Sequence, residues 1–309
     1  MKSVFQTQEF HAFLQSTGLL EPFRFSVERS GKEVGVIQGF IQKEGGSLKR
    51  FFSRRAIING GPWLADDISS AELESLLKKC ADGLKHKAIY IETRNFADYS
   101  RFRPTFEKIG FVYEPHYDFI VDTSSQEIVD LHMGKSRKRD VNTSIKHGVT
   151  ITCNPAEAEV TAFYNILKDL YQNKVKTPLF PKEFFLKLWE ADFAKFILVK
   201  YNDEIIGGTL CIHDDETLYE WFACGKDGVY NNIFPSTVAT YYGIQFAVDN
   251  GFKTFDMMGA GAPGDGGYGV REFKAKFGGE LVEYGRFKYV CNKPLYKLGE
   301  MAVKILKKK

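Results

Sequence analysis

The sequence repeats itself, and that limits what it can fold into. FSVERSGKEVGVIQGFI (25–41) is answered by ILVKYNDEIIGGTLCIH (197–213), each a strand, a polar turn and a second strand carrying glycine. The helix-spaced leucines of 73–88, with IYIETRN after them, are answered by 235–250 followed by TFDMMG; FEKIGF (106–111) is answered by REFKAKFGG (271–279). Three pieces in one order, offset by about 162 to 172 residues, are what two tandem copies of one α/β unit with unequal loops give. Along the first copy, Ser70 caps a helix carrying Leu73, Leu76, Leu77, Ala81 and Leu84, and Gly83 does not stop it. Gly60, Gly61 and Pro62 break the apolar run AIINGGPWL, and Pro104 opens a short helix before the strand YDFIVD.

Between the copies lies 128–147, where Met133, Val141 and Ile145 share one helical side and Lys135, Arg139, Asn142 and Lys146 another. Arg137 falls in register with the apolar side, so it either snorkels or points into a cleft. The densest stretch is GFKTFDMMGAGAPGDGGYGVREFKAKFGG (251–279). An apolar run ends in a loop whose glycines let the backbone approach a ligand, and a short helix then presents Lys274 and Lys276 beside it. Gly259, Gly261 and Gly264 spell GxGxxG, but Pro263 and Asp265 postpone the helix to about Val270, so no dinucleotide site follows.

Composition removes other classes. A formal charge of +3 argues against a duplex-DNA binder, and an apolar share of 44% is that of a folded globular chain. The five cysteines contain no CxxC pair and read as reduced thiols; the six histidines show no HxxxH spacing, so no metal site is expected. With neither a leader pattern nor a run of eighteen apolar residues, the expected location is the cytoplasm.

The repeated unit resembles the GNAT acyltransferase fold, and its duplicated form resembles the Fem family of aminoacyl-tRNA-dependent transferases that extend peptidoglycan cross-bridges. The pieces that carry the resemblance are GKSRKRDVNTSIKHGVTI, PLFPKEFF, FILVKYNDEIIGGTLCI, LYEWFACGKDG, FPSTVATYYGIQFAVDNGFKTFDMMG and VREFKAKFGG, in that order. GGPWL and IYIETRN match more loosely in the first half. The expected architecture is α/β with mixed sheets: two tandem GNAT-like acyltransferase domains, 1–127 and 128–292, with a cleft between them. No charged heptads exist to build the helical arm of some members. Neither CGKDGVYNNIFPS nor INGGPWLADDISS fits the Q/RxxGxG/A turn that holds coenzyme A, so a donor other than acyl-CoA is favoured.

The resemblance implies a charged tRNA as donor, an amine of a nucleotide-linked or lipid-linked cell-wall precursor as acceptor, and no cofactor. It assigns Lys274 as the cation near the transferred carbonyl and the terminal phosphate; the alternative is a surface lysine on an amphipathic helix held down by Phe273 and Phe277. Glu220, among Tyr219, Trp221 and Phe222, either faces water or is desolvated into a base. Trp221 and Phe222 either stack on a terminal adenine or fill the core. Asp256, Lys276 and Arg137 complete the binding candidates of the second half. Glu92, Arg94 and Gly61 are those of the first, where Arg94 pairs either with a ligand anion or with Asp98 or Glu92. The runners-up are a GNAT enzyme using another acyl donor, and a non-catalytic nucleotide-sugar or RNA binder. The tail PLYKLGEMAVKILKKK (294–309) is a basic amphipathic helix that packs on the first domain or meets the anionic inner leaflet.

Overall fold

The computed structural model describes residues 2–43, 53–264 and 269–307. The basic stretch 48–52, loop residues 265–268 and Lys308 and Lys309 lie outside the described residues. The chain forms two compact units, Met1–His116 with Glu283–Lys309, and Tyr117–Val282.

In the first unit a seven-stranded sheet runs in the order β1 (Glu21–Arg29), β2 (Lys32–Gln42), β3 (Arg55–Gly60), β5 (Tyr90–Asn95), β14 (Arg286–Val290) and β6 (Val112–Glu114), with β4 (Trp63–Leu64) beside β2. The second sheet also has seven strands: β13 (Glu280–Glu283), β7 (Tyr117–Asp122), β12 (Thr254–Asp256), β11 (Thr217–Gly225), β10 (Glu204–His213), β9 (Ala194–Tyr201) and β8 (Thr150–Thr152). Each sheet is an antiparallel meander joined through a helix to one parallel neighbour, β3 to β5 and β11 to β12. The two therefore share a mixed topology, as the sequence repeat predicts.

Each repeat gives away its last strand. β7, which follows the first repeat, pairs with β12 in the second sheet, and β14, which follows the second, lies between β5 and β6 in the first. The expected boundaries at 127/128 and 292/293 are thus drawn instead at 116/117 and 282/283, because strand pairing and not chain order decides where a segment is buried.

Helix α1 (Gln8–Thr17) lies in the first unit, where α2 (Ser70–Leu84) and α3 (Arg103–Ile109) cover one sheet face with Leu73, Leu76, Leu77, Leu84 and Phe106 in its core. The cap of α2 is Ser69, one residue earlier than expected: its hydroxyl accepts from Glu72 N while Glu72 reaches back to Ser69 N (2.8 Å). The second unit contains α4 (Gln126–His132), α5 (Lys135–Lys146), α6 (Glu157–Leu170), α7 (Lys182–Trp189), α8 (Pro235–Asp249) and the short α9 (Gly269–Ala275). Ile244 of α8 shares a core with Ile197, Cys211 and Phe255; Phe163 of α6 and Phe185 of α7 meet Phe196 and Phe222 on the opposite face. α10 (Lys293–Lys307) returns to the first unit.

Candidate active site

The two parallel pairs differ, and that difference locates the site. In the first unit β3 and β5 stay hydrogen-bonded from Arg55↔Tyr90 to Gly60↔Asn95. Carbonyls beyond the pair are taken up internally: Gln6 Nε2 donates to Gly60 O and Gly61 O (2.9 Å each), and Tyr99 OH donates to Pro62 O at 2.6 Å. Gly61 is buried there with φ +70° and no room for a Cβ beside Tyr99. In the second unit β11 and β12 pair only from Thr217↔Thr254 to Tyr219↔Asp256; β12 then ends and β11 runs on. The first copy is closed at this point and the second is parted.

A buried acidic group fills the parting. Glu220 (6% exposed) stands on β11 one residue past the last pair, Asp256 (2%) ends β12, and Asp118 (5%) comes from β7. Thr240 Oγ1 of α8 donates to Glu220 Oε1 at 2.8 Å. Burial raises the Glu220 carboxyl above its usual range, against the pull of Lys274. Asp118 and Asp256 share a hydrogen bond; burial raises both carboxyls, Asp256 well above the ordinary range, and the charge of the neighbouring Asp118 adds to that rise.

Lys274 is not a surface lysine. From α9 it is half-buried, its Nζ donating to Met257 O and to Gly259 O (2.7 Å), and its charge acts on Asp118, Asp256 and Glu220. The loop is shaped to receive it. Asp256 Oδ1 accepts from Met258 N (2.7 Å), Met258 sits in the left-handed region at φ +53°, and the carbonyls on either side of it turn to the ammonium. Three donors on an ammonium and two protein acceptors leave one N–H with no further partner among the described residues. Arg271, one turn earlier, donates Nε to Ala260 O (2.9 Å) and Nη2 to Ala262 O while its guanidinium lies over Tyr117. The glycine-rich backbone thus turns its carbonyls to two cations of α9.

The remaining candidates separate. Strict alternation would put Glu220 and Phe222 on one face, but the pairing shifts register between Leu210 and Cys211, so that Leu210 opposes Phe222 and Cys211 opposes Glu220. Trp221 is the extra residue of that bulge, and it and Phe222 both turn to α7: Trp221 meets Phe184 at 5.9 Å and Phe222 meets Phe185 at 5.1 Å. Phe222 is core, and Glu220 is carried inward to the α8 face. Arg137 packs under α9, its guanidinium 4.5 Å from the Phe273 ring, with Thr237 Oγ1 at 3.2 Å and Asp140 at 3.6 Å; burial lowers its pKa and its Nε has no partner among the described residues. Lys276 is exposed and contributes only its carbonyl, to Gly134 N.

Glu92 and Arg94 lie in the first unit, in an ion-pair ladder. Arg94 Nε bonds Glu92 at 2.9 Å and Arg286 Nη1 lies 3.6 Å away, so Arg94 takes the protein partner foreseen for it. Burial drives the Glu92 carboxyl up, yet Arg94 and Arg286 outweigh it and hold it at about 2. Sequence reasoning missed Asp118, Thr240 and Met258. The one legible sign was an aspartate inside the strand YDFIVD; its pairing with Asp256, 138 positions on, comes from the strand exchange.

Comparisons with known proteins bear on the fold that carries this site. The FemAB family model matches residues 187–304, which span β9 to β14, α8 and α9. Over this stretch the chain is similar to the FemAB family. The FemAB segment carries Glu220, Asp256 and Lys274, whereas Asp118 enters the cluster from outside it. Over the whole chain the fold is similar to that in the crystal structure of FemX, with a TM-score of 0.70, 16% identity and coverage of 96% of this chain and 94% of that one. L-PGS from Bacillus licheniformis follows at 0.60, 14% identity and 97% and 96% coverage. A tandem GNAT protein from the clavulanic acid biosynthesis pathway gives 0.56 at 9% identity, covering 88% and 84%. At these identities the likeness shows the fold, a tandem GNAT-like pair. None of the curated proteins matches the sequence.

Proposed function

We propose that this chain, a FemAB-type transferase, moves an aminoacyl group from charged tRNA to an amine of a peptidoglycan precursor in the cytoplasm, and that the parted β11/β12 pair is where it does so. The observation that carries this is a half-buried ammonium, Lys274, fixed by two carbonyls with one N–H to spare, beside three buried carboxyls. In acyl transfer the acceptor must lose a proton before it attacks. Glu220, its basicity raised by burial, takes that proton. The amine nitrogen then bonds to the ester carbonyl carbon, and the free N–H of Lys274 receives the oxyanion. Collapse expels the ribose hydroxyl, which leaves with the second amine proton. The Asp118–Asp256 pair balances the lysine's charge and holds the Met258 turn, so it positions Lys274.

The helix starts argue for a donor other than acyl-CoA. A coenzyme A pyrophosphate needs bare backbone N–H groups at the helix after the parted strand. Here Pro235 opens α8 without an N–H, and Asp227 occupies the place: its Oδ1 accepts from Ser236 N at 3.2 Å and its Oδ2 from Ser236 Oγ. In the first copy Glu72 does the same at Ser69. The test is a pair of titrations, charged tRNA and acetyl-CoA. Micromolar binding of charged tRNA, with acetyl-CoA silent to millimolar concentration, is expected; tight acetyl-CoA binding that charged tRNA does not displace would replace the donor in this reading.

A further inference from the structure

Charge is distributed unevenly along this chain. Residues 293–309 hold six lysines and one glutamate, a net +5, while the whole chain carries only +3; residues 1–292 therefore sum to −2. The positive excess lies in and just after one helix, α10. Its first turn is tied to the first unit. Asn292 N and Cys291 N donate to Ile89 O (3.0 and 2.9 Å), Asn292 Oδ1 caps Leu295 N at 3.0 Å, and the Tyr296 ring stands edge-on to Tyr90 with centroids 5.5 Å apart. Leu295, Tyr296 and Gly299 are half-buried on that side.

The other side is exposed at its described positions. Leu298 is 51% exposed and Met301 52%, among the most exposed large apolar residues described. They are three residues apart on a helix, and the sequence supplies Ile305 a further turn along, with Lys297 and Lys304 each one residue before an apolar position of this stripe. We infer that α10 is a membrane-surface helix: anchored at its first turn, it lays Leu298 and Met301 into the boundary of an anionic bilayer while its lysines meet the headgroup charge. Charge complementarity and the apolar stripe together select this occupant. A phosphate backbone would satisfy the lysines but has no use for exposed leucine and methionine, whereas an anionic lipid surface rewards both. Among the described residues no helix is long and apolar enough to cross a membrane, so the contact is one of lying on the surface. The inference concerns the first unit and holds whether or not the second transfers an aminoacyl group.

The experiment is sedimentation of the full chain with vesicles of phosphatidylcholine alone or with a third phosphatidylglycerol. Binding to the anionic vesicles, at least about tenfold stronger than to the neutral ones and falling as salt rises, is expected. Leu298→Glu with Met301→Glu should abolish it without lowering the thermal midpoint, since both positions face outward. Lys297→Glu with Lys304→Glu should weaken it about tenfold or more and flatten the salt dependence. Three results would overturn the inference: no sedimentation with either vesicle; a thermal midpoint that drops on L298E/M301E, which would make the stripe a packed face of the first unit; or unchanged vesicle binding in L298E/M301E beside RNA binding lost in K297E/K304E, which would make the helix an RNA contact.

Discussion

A single carboxyl, Glu220, sets stability against function in the second unit. Burial raises its folded-state pKa above the ordinary value, so its contribution to stability is fully present below the unfolded pKa and is lost as pH rises through the folded one. Its charged form is disfavoured where it lies. Glu220→Gln keeps the oxygen that accepts from Thr240 and removes that penalty. A gain of about 1 kcal/mol, or a few degrees in thermal midpoint, is expected at pH 7, shrinking toward pH 4, together with loss of transfer activity. A midpoint that falls at pH 7 would show that the carboxylate is stabilised where it lies. Glu92 in the first unit has the opposite sign: held at about 2, it stabilises above the unfolded pKa and stops doing so as pH falls toward 2. Lys274 was legible as a residue because a cation follows a glycine-rich loop; its partners were not, since two of them are backbone carbonyls exposed by one left-handed residue, Met258, which no side-chain pattern announces.

Glycine in the second strand of each hairpin was the clearest sign of duplication in the sequence, and the structure shows why side chains are excluded. A Cβ on Gly39 would stand 2.0 Å from Ile57 O, in the backbone of the neighbouring strand; on Gly208 it would stand 2.9 Å from Ile197 O. Gly39→Ala therefore forces β2 and β3 apart, and a loss of about 2–3 kcal/mol in chemical denaturation is expected. An unchanged midpoint would mean that the two strands part without cost. At this scale strands and helices were largely readable, because period and caps are local signals. The bulge at Trp221 was not. It depends on how β11 is paired with β10, and by adding one residue it reverses which of Glu220 and Phe222 reaches the α8 face.

For the whole molecule, duplication was legible and the exchange of strands was not, since nothing in YDFIVD or RFKYV says which sheet it joins. The exchange makes the halves interdependent. A chain cut at 127/128 leaves residues 1–127 without β14, the strand between β5 and β6, and leaves the remainder without β7, the strand between β12 and β13. Neither piece should give a dispersed amide spectrum or a cooperative melt alone, and mixing the two should restore both; a folded 128–309 piece on its own would refute the exchange. The proposed transfer rests on the parted strand pair and the cation held in it. Its most direct test is transfer of a labelled amino acid from charged tRNA to a peptidoglycan precursor by the native chain and by Lys274→Ala, with fold checked by thermal melt. Amide product from the native chain, cut about 10²–10³-fold in the variant while the melt remains cooperative, is the predicted result; a variant that transfers as fast as the native chain would contradict it.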